Sequence, residues 1–179
     1  MQLQKIKQSE VNQMSIKSDL ENFVSIAEDE VGTTEGKGGY TKYGDEFGDP
    51  SGSWCAHFVD WCAKKAGILT TKAMASCPYI PQEGLVPNVY DWYKANRRSL
   101  IPKMDTSSAN YPKLGDLVII DNDGETTGTD HIGIVAAVSG KTVTVIEGNS
   151  SDMVQKLDYK NLVCDKARIS YLCSNNVSY

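Results

Sequence analysis

The chain has 179 residues, of which 40% are hydrophobic and 23% charged, and this size and composition indicate a soluble protein with one hydrophobic core. Its net charge is −5, and it lacks a Lys/Arg cluster that could displace counterions from phosphates, so we exclude nucleic acid as a main partner. No apolar run is long enough to cross a bilayer, and the N-terminus lacks the apolar segment of a signal peptide.

The cysteine and histidine content limits the possible metal and redox chemistry. The chain has five cysteines and two histidines. An odd number of cysteines leaves at least one without an intramolecular partner. The absence of a Cys-x-x-Cys pair excludes zinc-ribbon and thioredoxin-type sites, and two histidines are too few for a histidine-rich metal site. The cysteines are Cys55, Cys62, Cys77, Cys164 and Cys173.

The N-terminal part of the chain predicts a flexible lead followed by one domain. Residues 1–17 are polar and show no apolar periodicity, and we assign residues 18–179 to a single domain. Ser18 and Glu21 form a capping box, which predicts that a helix begins at Ser18, and Gly32 predicts its end. The helical spacing is carried by Leu20, Phe23, Val24, Ala27 and Val31.

A glycine-rich loop leads into the clearest helix of the chain. We interpret residues 32–53 as a loop anchored by aromatic side chains. Ser53 is the expected N-cap of the helix, and Gly67 is expected to end it. Cys55 then lies in the first turn and on the buried face. The loop aromatics are Tyr40, Tyr43 and Phe47, and the helical apolar stripe is Cys55, Phe58, Val59, Cys62, Ala63 and Ala66.

The second half of the chain changes from helical to strand periodicity. A short helix is expected around residues 86–93, and segments rich in Val, Ile and Thr follow. Ser139 and Gly140 predict a tight turn between two strands, which should pair as a hairpin. Helices followed by strands predict an α+β domain with an antiparallel sheet. The expected strands are Leu117–Ile120, His131–Val138, Thr142–Glu147 and Arg168–Leu172.

Cys55 is the candidate nucleophile. A helix N-terminus and a nearby imidazole both favour the thiolate of a cysteine, which is the reactive form. The alternative is that Cys55 is a small core residue, as free cysteines often are. Cys62 lies on the same face but two turns further along the helix, and we interpret it as a core residue.

His131 is the candidate general base. His57 is two residues after Cys55 and is therefore rotated by about 200° around the helix. We expect it to point to the surface with Asp60 and Lys64. His131 begins a strand in the half of the chain that must pack on the Cys55 stripe. Its alternative role is that of a structural histidine at a strand start.

Two polar residues can orient His131. A histidine base needs an acceptor at its second ring nitrogen. Strand alternation places Glu147 and Asn149 on one face with Val143 and Val145, and the hairpin brings this strand beside His131. The oxyanion hole would use the Cys55 backbone N–H and one further donor, for which Ser53, Trp54 and the glycine-rich loop are all candidates.

The same residues resemble the CHAP domains, the cysteine, histidine-dependent amidohydrolases/peptidases related to the NlpC/P60 peptidases. The resemblance extends from about Leu20 to Tyr171. Within the family, the chain looks most similar to the CHAP domains of Gram-positive bacteria, their phages and mobile elements. It is carried by Lys42-Tyr43-Gly44, Trp54-Cys55-Ala56-His57-Phe58-Val59-Asp60-Trp61-Cys62, Lys113-Leu114-Gly115-Asp116-Leu117-Val118, His131-Ile132-Gly133-Ile134-Val135 and Ile146-Glu147-Gly148-Asn149.

The resemblance implies a papain-like α+β fold and hydrolysis of amide bonds in peptidoglycan. By motif, Cys55 matches the nucleophile, His131 the general base, Glu147 the residue that orients the histidine, and Asn149 the accompanying polar residue. Some family members bind calcium in the loop before the cysteine. The corresponding acidic residues here are poorly spaced for that, so we expect no required metal or other cofactor. These residues are Asp45, Glu46 and Asp49.

We therefore predict a monomeric cysteine peptidase or amidase of the cell wall. It would be made in the cytoplasm and reach the wall by release or by another export route. Tyr43, Trp54, Trp92 and Tyr93 are candidates to line the substrate groove, with core packing as the alternative for each. One alternative for the whole protein is a catalytically silent wall-binding or structural module, and another is an enzyme of the same mechanism used as a toxin or as a conjugation or tail component. The bond cut depends on groove loops, which we expect at residues 70–90 and 121–130.

Overall fold

The structure is a computed structural model of the chain. It describes residues 2–70, 80–95, 100–102, 111–122, 129–164 and 167–175. Cys77 and large parts of the two predicted groove loops lie outside these residues, as does the side chain of Cys164. Within the described ranges, no helix has the length and apolar character needed to cross a membrane.

Helices dominate the first half of the chain and strands the second half, as the pattern of periodicity predicted. The α-helices of the described residues are α1 (Gln2–Asp29), α2 (Lys42–Asp45), α3 (Cys55–Ala66) and α4 (Val86–Ala95). The strands are β1 (Leu69–Thr70), β2 (Ile80–Pro81), β3 (Leu100–Pro102), β4 (Leu117–Asp121), β5 (His131–Ser139), β6 (Thr142–Ser150), β7 (Met153–Lys160), β8 (Val163–Cys164) and β9 (Ala167–Cys173).

Helix α1 is longer than predicted. It begins at Gln2 and passes through Ser18 without a break, so the predicted helix start at Ser18 is wrong. Gln, Lys and Glu favour the helix even where no apolar stripe is present, and periodicity alone therefore missed this part. The helix ends at Asp29, which leaves Val31 beyond it and 41% exposed. The buried residues of α1 are Leu20, Phe23, Val24 and Ala27, as predicted. The division of the chain into a lead (1–17) and one domain (18–179) stays a prediction.

Helix α3 matches its prediction except at its first residue. Trp54, rather than Ser53, is the N-cap residue, and no side chain caps the helix there. Gly67 ends the helix in the left-handed conformation, with φ of 75°, which glycine adopts without steric cost. The predicted apolar stripe is buried from Cys55 to Ala63. The helix therefore carries Cys55 as its first residue and holds it against the core.

The sheet closes on itself into a small barrel. The strands lie in the order β3-β9-β4-β5-β6-β7-β8. Strand β8 also pairs with β9, so the six strands from β9 to β8 form a closed ring, and β3 pairs with β9 outside it. Apart from the two-stranded parallel pair of β1 and β2, all pairs are antiparallel. The predicted hairpin is confirmed, because β5 pairs with β6 around a turn at Gly140.

The two faces of the sheet form two separate cores. Alternate strand residues face the helices, and α1 and α3 pack on this outer face. The other residues face one another inside the barrel, which explains why strands of this protein are buried on both sides. The interior residues are Val118, Ile120, Val135, Val143, Val145, Tyr159, Leu162, Ile169 and Leu172.

Strand β7 is an element that the sequence analysis did not assign. Its residues Gln155, Leu157 and Tyr159 alternate with Lys156 and Asp158. This is the period-two pattern of a half-buried strand, so the signal was present in the sequence. β7 pairs with β6 along most of its length and thereby brings Tyr159 into the barrel.

Candidate active site

Cys55 lies where helix α3 meets the end of strand β6. It is the first residue of α3 and is 4% exposed. The Ser53 hydroxyl lies 3.9 Å from the Cys55 sulfur. The close approach of helix and strand depends on Gly148, because a Cβ there would lie 2.4 Å from Cβ of Phe58. The thiol sits beside the backbone N–H groups of the first helical turn, which have no partner within the helix.

His131 and Glu147 form a direct pair at one end of the barrel. His131 Nε2 lies 3.0 Å from Glu147 Oε2, and both side chains are buried. The Glu147 side chain reaches His131 by passing over Gly133, where a Cβ would lie 2.9 Å from Cγ of Glu147 and 2.3 Å from Val145. With Nε2 facing the carboxylate, Nδ1 is the ring nitrogen left to face the thiol.

Glu147 has a second partner inside the barrel. Tyr159 donates its hydroxyl hydrogen to Glu147 Oε1 over 2.8 Å, and Tyr159 is 1% exposed. Each carboxylate oxygen therefore has its own hydrogen-bonding partner, one on β5 and one on β7. A buried carboxylate is costly unless such partners are present, and here both come from the strands next to β6.

The charges around His131 favour its protonated form. Burial by itself lowers the pKa of His131, but the Cys55 thiol and the Glu147 carboxylate together outweigh it and raise this pKa to about 9. An imidazolium at neutral pH favours a thiolate beside it. The arrangement can therefore hold a thiolate–imidazolium pair, which is the reactive state of a cysteine nucleophile.

Asn149 lies next to this pair after a break in strand alternation. The pairing of β6 with β7 shifts register between Glu147 and Ser150, and Asn149 has a φ of 58°. Such a bulge re-aims side chains, so simple alternation does not describe its position. Asn149, His131 and Glu147 line one cavity of about 360 Å³ at the end of the barrel. The structure thus brings Asn149 to the same place as the predicted base and its partner.

His57 and Asp60 are buried, and their predicted surface position is wrong. His57 is 6% exposed and stacks on Phe47, with the ring centroids 5.7 Å apart. Asp60 is 1% exposed. Residues 80–86 and the loop around Phe47 cover this side of α3, which the helical phase could not reveal. His57 Nε2 lies 3.5 Å from Asp49 Oδ2, and the exclusion of His57 as the base of Cys55 stays a prediction.

Three of the four predicted groove residues belong to the core, and one of them, Tyr93, is fully buried. Tyr43 and Trp54 are each 1% exposed and stack with ring centroids 5.3 Å apart. Their polar atoms are bound internally, to Glu30 and Glu35 respectively. Side chains buried to this extent have no surface for a substrate, so core packing, the stated alternative, describes them. Trp92 packs half-buried against the same core, and its contact with a substrate stays a prediction.

The acidic residues of the loop before Cys55 do not converge on a common point. Asp45 accepts a hydrogen bond from Tyr40, Glu46 pairs with Lys64, and Asp49 lies beside His57. No group of three or more metal-binding side chains occurs in the part of the chain that the structure describes. These residues therefore do not fit the calcium site of some CHAP domains, and the expectation that no metal is required stays a prediction.

Three residues that shape this site were missed by the sequence analysis. Gly133 and Gly148 matter because a side chain at either position would collide with its neighbours. Those neighbours lie on another strand and on helix α3, so the sequence around each glycine does not reveal the effect. Tyr159 was missed because β7 was not assigned. The strand alternation in residues 153–160 was the signal that could have placed it in the barrel.

Comparison with known proteins gives a family and a similar fold. The CHAP domain family model matches residues 46–149, which is more than half of the chain. No curated protein matches the chain by sequence. A similar solved structure is that of the peptidoglycan hydrolase RipB from Mycobacterium tuberculosis, with a TM-score of 0.53 at 16% identity over 93% of this chain and 68% of RipB. Another is Ly7917, with a TM-score of 0.45 at 16% identity over 86% of this chain and 61% of Ly7917.

The likeness to RipB is one of fold, and it confirms the predicted papain-like α+β architecture. In this chain, helix α3 begins with Cys55 and packs on the antiparallel sheet, whose strand β5 begins with His131. The family match covers both Cys55 and the segment from His131 to Asn149. The chain therefore belongs to the CHAP-domain family, the cysteine, histidine-dependent amidohydrolases/peptidases.

Proposed function

We propose that this protein hydrolyses an amide bond of bacterial peptidoglycan, with Cys55 as nucleophile and His131 as general base and acid. The observation that carries the proposal is the His131–Glu147 pair, at 3.0 Å between Nε2 and Oε2, together with the effect of Cys55 on the same imidazole. The CHAP domain supports peptidoglycan hydrolysis in general, and RipB is a peptidoglycan hydrolase of similar fold.

In the proposed mechanism, the Cys55 thiolate attacks the carbonyl carbon of the scissile amide. Backbone N–H groups at the start of α3 stabilise the negative charge on the carbonyl oxygen. The His131 imidazolium then gives its proton to the leaving amine, and an acyl-enzyme remains on Cys55. Water, deprotonated by His131, releases the acid product. Glu147 holds the imidazole orientation throughout, and Asn149 supplies a polar group at the same end of the barrel.

The substrate for a first test is Gram-positive peptidoglycan, because the sequence motifs are most similar to CHAP domains of Gram-positive bacteria and their phages. Two kinds of bond fit the same chemistry. One is the amide between the glycan and the stem peptide, and the other is a peptide bond within the stem or cross-bridge. Mass spectrometry of released fragments distinguishes them, since an endopeptidase creates a new peptide N-terminus whereas an amidase releases the intact stem peptide.

The test is Cys55→Ala in an assay of wall turbidity and fragment release. We expect the rate of hydrolysis to fall by about a thousandfold or more, as for the loss of other catalytic nucleophiles. The matched control is Cys62→Ala, which removes a thiol from the same helix. Cys62 is fully buried in the core and burial raises the pKa of its thiol, so this variant should lose stability but retain hydrolysis. Equal hydrolysis by wild type and Cys55→Ala would rule out the proposed function.

A further inference from the structure

The Glu147 carboxylate is held from two sides by strands that flank β6. On the β5 side, Oε2 lies 3.0 Å from Nε2 of His131. On the β7 side, Oε1 accepts the hydroxyl hydrogen of Tyr159 at 2.8 Å. All three side chains are buried, and they lie beside the cavity at the end of the barrel. The contacts form a chain from the barrel interior to the imidazole.

Tyr159 is placed to constrain the carboxylate rather than to touch the substrate. Its ring packs in the barrel interior with Val143, Val145 and Leu162, which limits the movement of the hydroxyl group. A carboxylate held at one oxygen can still turn about its terminal bond. Partners at both oxygens define its plane, as the supporting hydrogen bonds of other functional sites do.

We propose that Tyr159 is a positioning residue of the active site. Its hydroxyl holds the Glu147 carboxylate in the orientation in which that carboxylate keeps the His131 ring directed toward Cys55. The inference rests on the proposed function, in which His131 acts as the general base and acid. It adds a residue from β7, which lies beyond the segment matched by the family model.

The test variant is Tyr159→Phe, which removes one oxygen atom and retains the ring in the barrel. Loss of a buried hydrogen bond to a charged group should lower kcat about tenfold or more. The change in KM should be small, because Tyr159 is 1% exposed and offers almost no surface to a substrate. The titration of His131, followed by NMR of the imidazole, should move downward relative to wild type, because a less constrained carboxylate stabilises the imidazolium less.

Two controls separate positioning from a general structural effect. His57 is the other histidine of the chain, and its NMR signal should not move in Tyr159→Phe. Tyr111→Phe removes a comparable hydroxyl, which donates to the Lys141 carbonyl oxygen at 3.0 Å at the opposite end of the β5–β6 hairpin. That variant should leave both kcat and the His131 titration unchanged.

A double-mutant cycle shows whether Tyr159 acts through Glu147. In a Glu147→Ala background the carboxylate is already absent. Adding Tyr159→Phe should then cause no further loss of kcat and no further change in the His131 titration. A full additional loss in that background would overturn the proposal, as would an unchanged His131 titration in the single variant.

The same measurements keep this proposal separate from the proposed function. Suppose that wild-type protein does not hydrolyse peptidoglycan, that Tyr159→Phe still moves the His131 titration, and that Tyr159→Phe causes no further change when Glu147→Ala is already present. The positioning role is then supported and the proposed function is refuted. If wild type hydrolyses peptidoglycan and Tyr159→Phe matches it in kcat and in the His131 titration, the function is retained and the positioning role is refuted.

Discussion

Two groups of buried polar side chains differ in how well their hydrogen bonds are satisfied. At the active site, His131, Glu147 and Tyr159 satisfy one another through hydrogen bonds. On the side of α3 that carries His57, the buried Asp60 carboxylate meets the Glu83 backbone but makes no hydrogen bond of regular geometry among the described residues, and neither does His57 Nδ1. Unpaired buried polar groups cost stability. The second group is therefore a point where stability can be gained without touching the proposed chemistry.

Asp60 should make the stability of the protein depend on pH. Burial raises the pKa of Asp60 to about 8. The contact with the Glu83 backbone lowers this pKa, and the negative charge of Glu83 adds a smaller increase. The unfolded chain has an ordinary aspartate pKa of about 3.9. Between these two values the folded protein binds a proton that the unfolded chain does not, so the free energy of unfolding falls as pH rises across this window.

Asp60→Asn should remove that dependence. We expect the difference in the free energy of unfolding between the variant and wild type to grow in favour of the variant as pH rises from about 4 to 8. Above pH 8 the difference should be constant and on the order of a few kcal/mol. Urea denaturation at a series of pH values measures this difference. Asp91→Asn, the same change at an exposed position of α4, should leave the pH dependence unaltered. Equal pH slopes for wild type and Asp60→Asn would contradict the prediction.

At the scale of elements, the site depends on how closely α3 approaches β6. The contact runs through Gly148, where a Cβ would lie 2.4 Å from Phe58 Cβ and 3.0 Å from the Trp54 ring. Both neighbours are themselves held in the core. The glycine thus sets the separation between the element that carries Cys55 and the strand that carries Glu147.

Gly148→Ala should therefore impair activity more than stability. Overpacking by one methyl group costs about 1–3 kcal/mol, whereas a displacement of about 1 Å at a reacting group can reduce the rate about a hundredfold. Thermal denaturation and hydrolysis rate measured on the same sample give the two effects. Gly36→Ala is the control, since the nearest atom to a Cβ there is at an ordinary 3.5 Å. Full activity of Gly148→Ala would show that this packing does not determine the site.

At the scale of the whole molecule, residues near the C-terminus join the helices to the barrel. Asn175 is fully buried. Its side chain accepts a hydrogen bond from the Tyr93 hydroxyl of α4 at 2.6 Å and donates one to the Gly115 carbonyl oxygen at 2.9 Å. Its backbone N–H donates to Asp116 Oδ1 at 2.7 Å. One residue thereby connects α4 to the loop that enters β4.

Asn175→Ala should destabilise the whole fold. It leaves the Tyr93 hydroxyl and the Gly115 carbonyl without this partner, and a broken buried network of this size costs about 2–4 kcal/mol. Chemical denaturation measures the loss. Ser174→Ala removes one weaker contact to Asp116, at 3.3 Å, and should cost less than about 1 kcal/mol. Similar losses for the two variants would argue against a central role for Asn175.

The sequence predicted the elements better than their edges. Helix α3 and strands β4, β5, β6 and β9 follow from apolar periodicity, because burial of one face imposes that period on the residues. The start of α1 and the N-cap of α3 did not follow, since helix ends depend on local bonds rather than on periodicity. Burial of His57 and Asp60 was also missed, because the segments that cover them are distant in sequence.

By itself, the sequence determined the α+β class, the CHAP resemblance and the candidates Cys55, His131, Glu147 and Asn149. These rest on residue identity and on spacing within one helix or one hairpin. Only the tertiary structure decided that the sheet closes into a barrel, that Tyr43 and Trp54 are core residues, and that Gly133, Gly148 and Tyr159 adjoin the site. The physical reason is that each of these features depends on contacts between elements far apart in the chain, and one strand's periodicity carries no information about which side chain of another strand will face it.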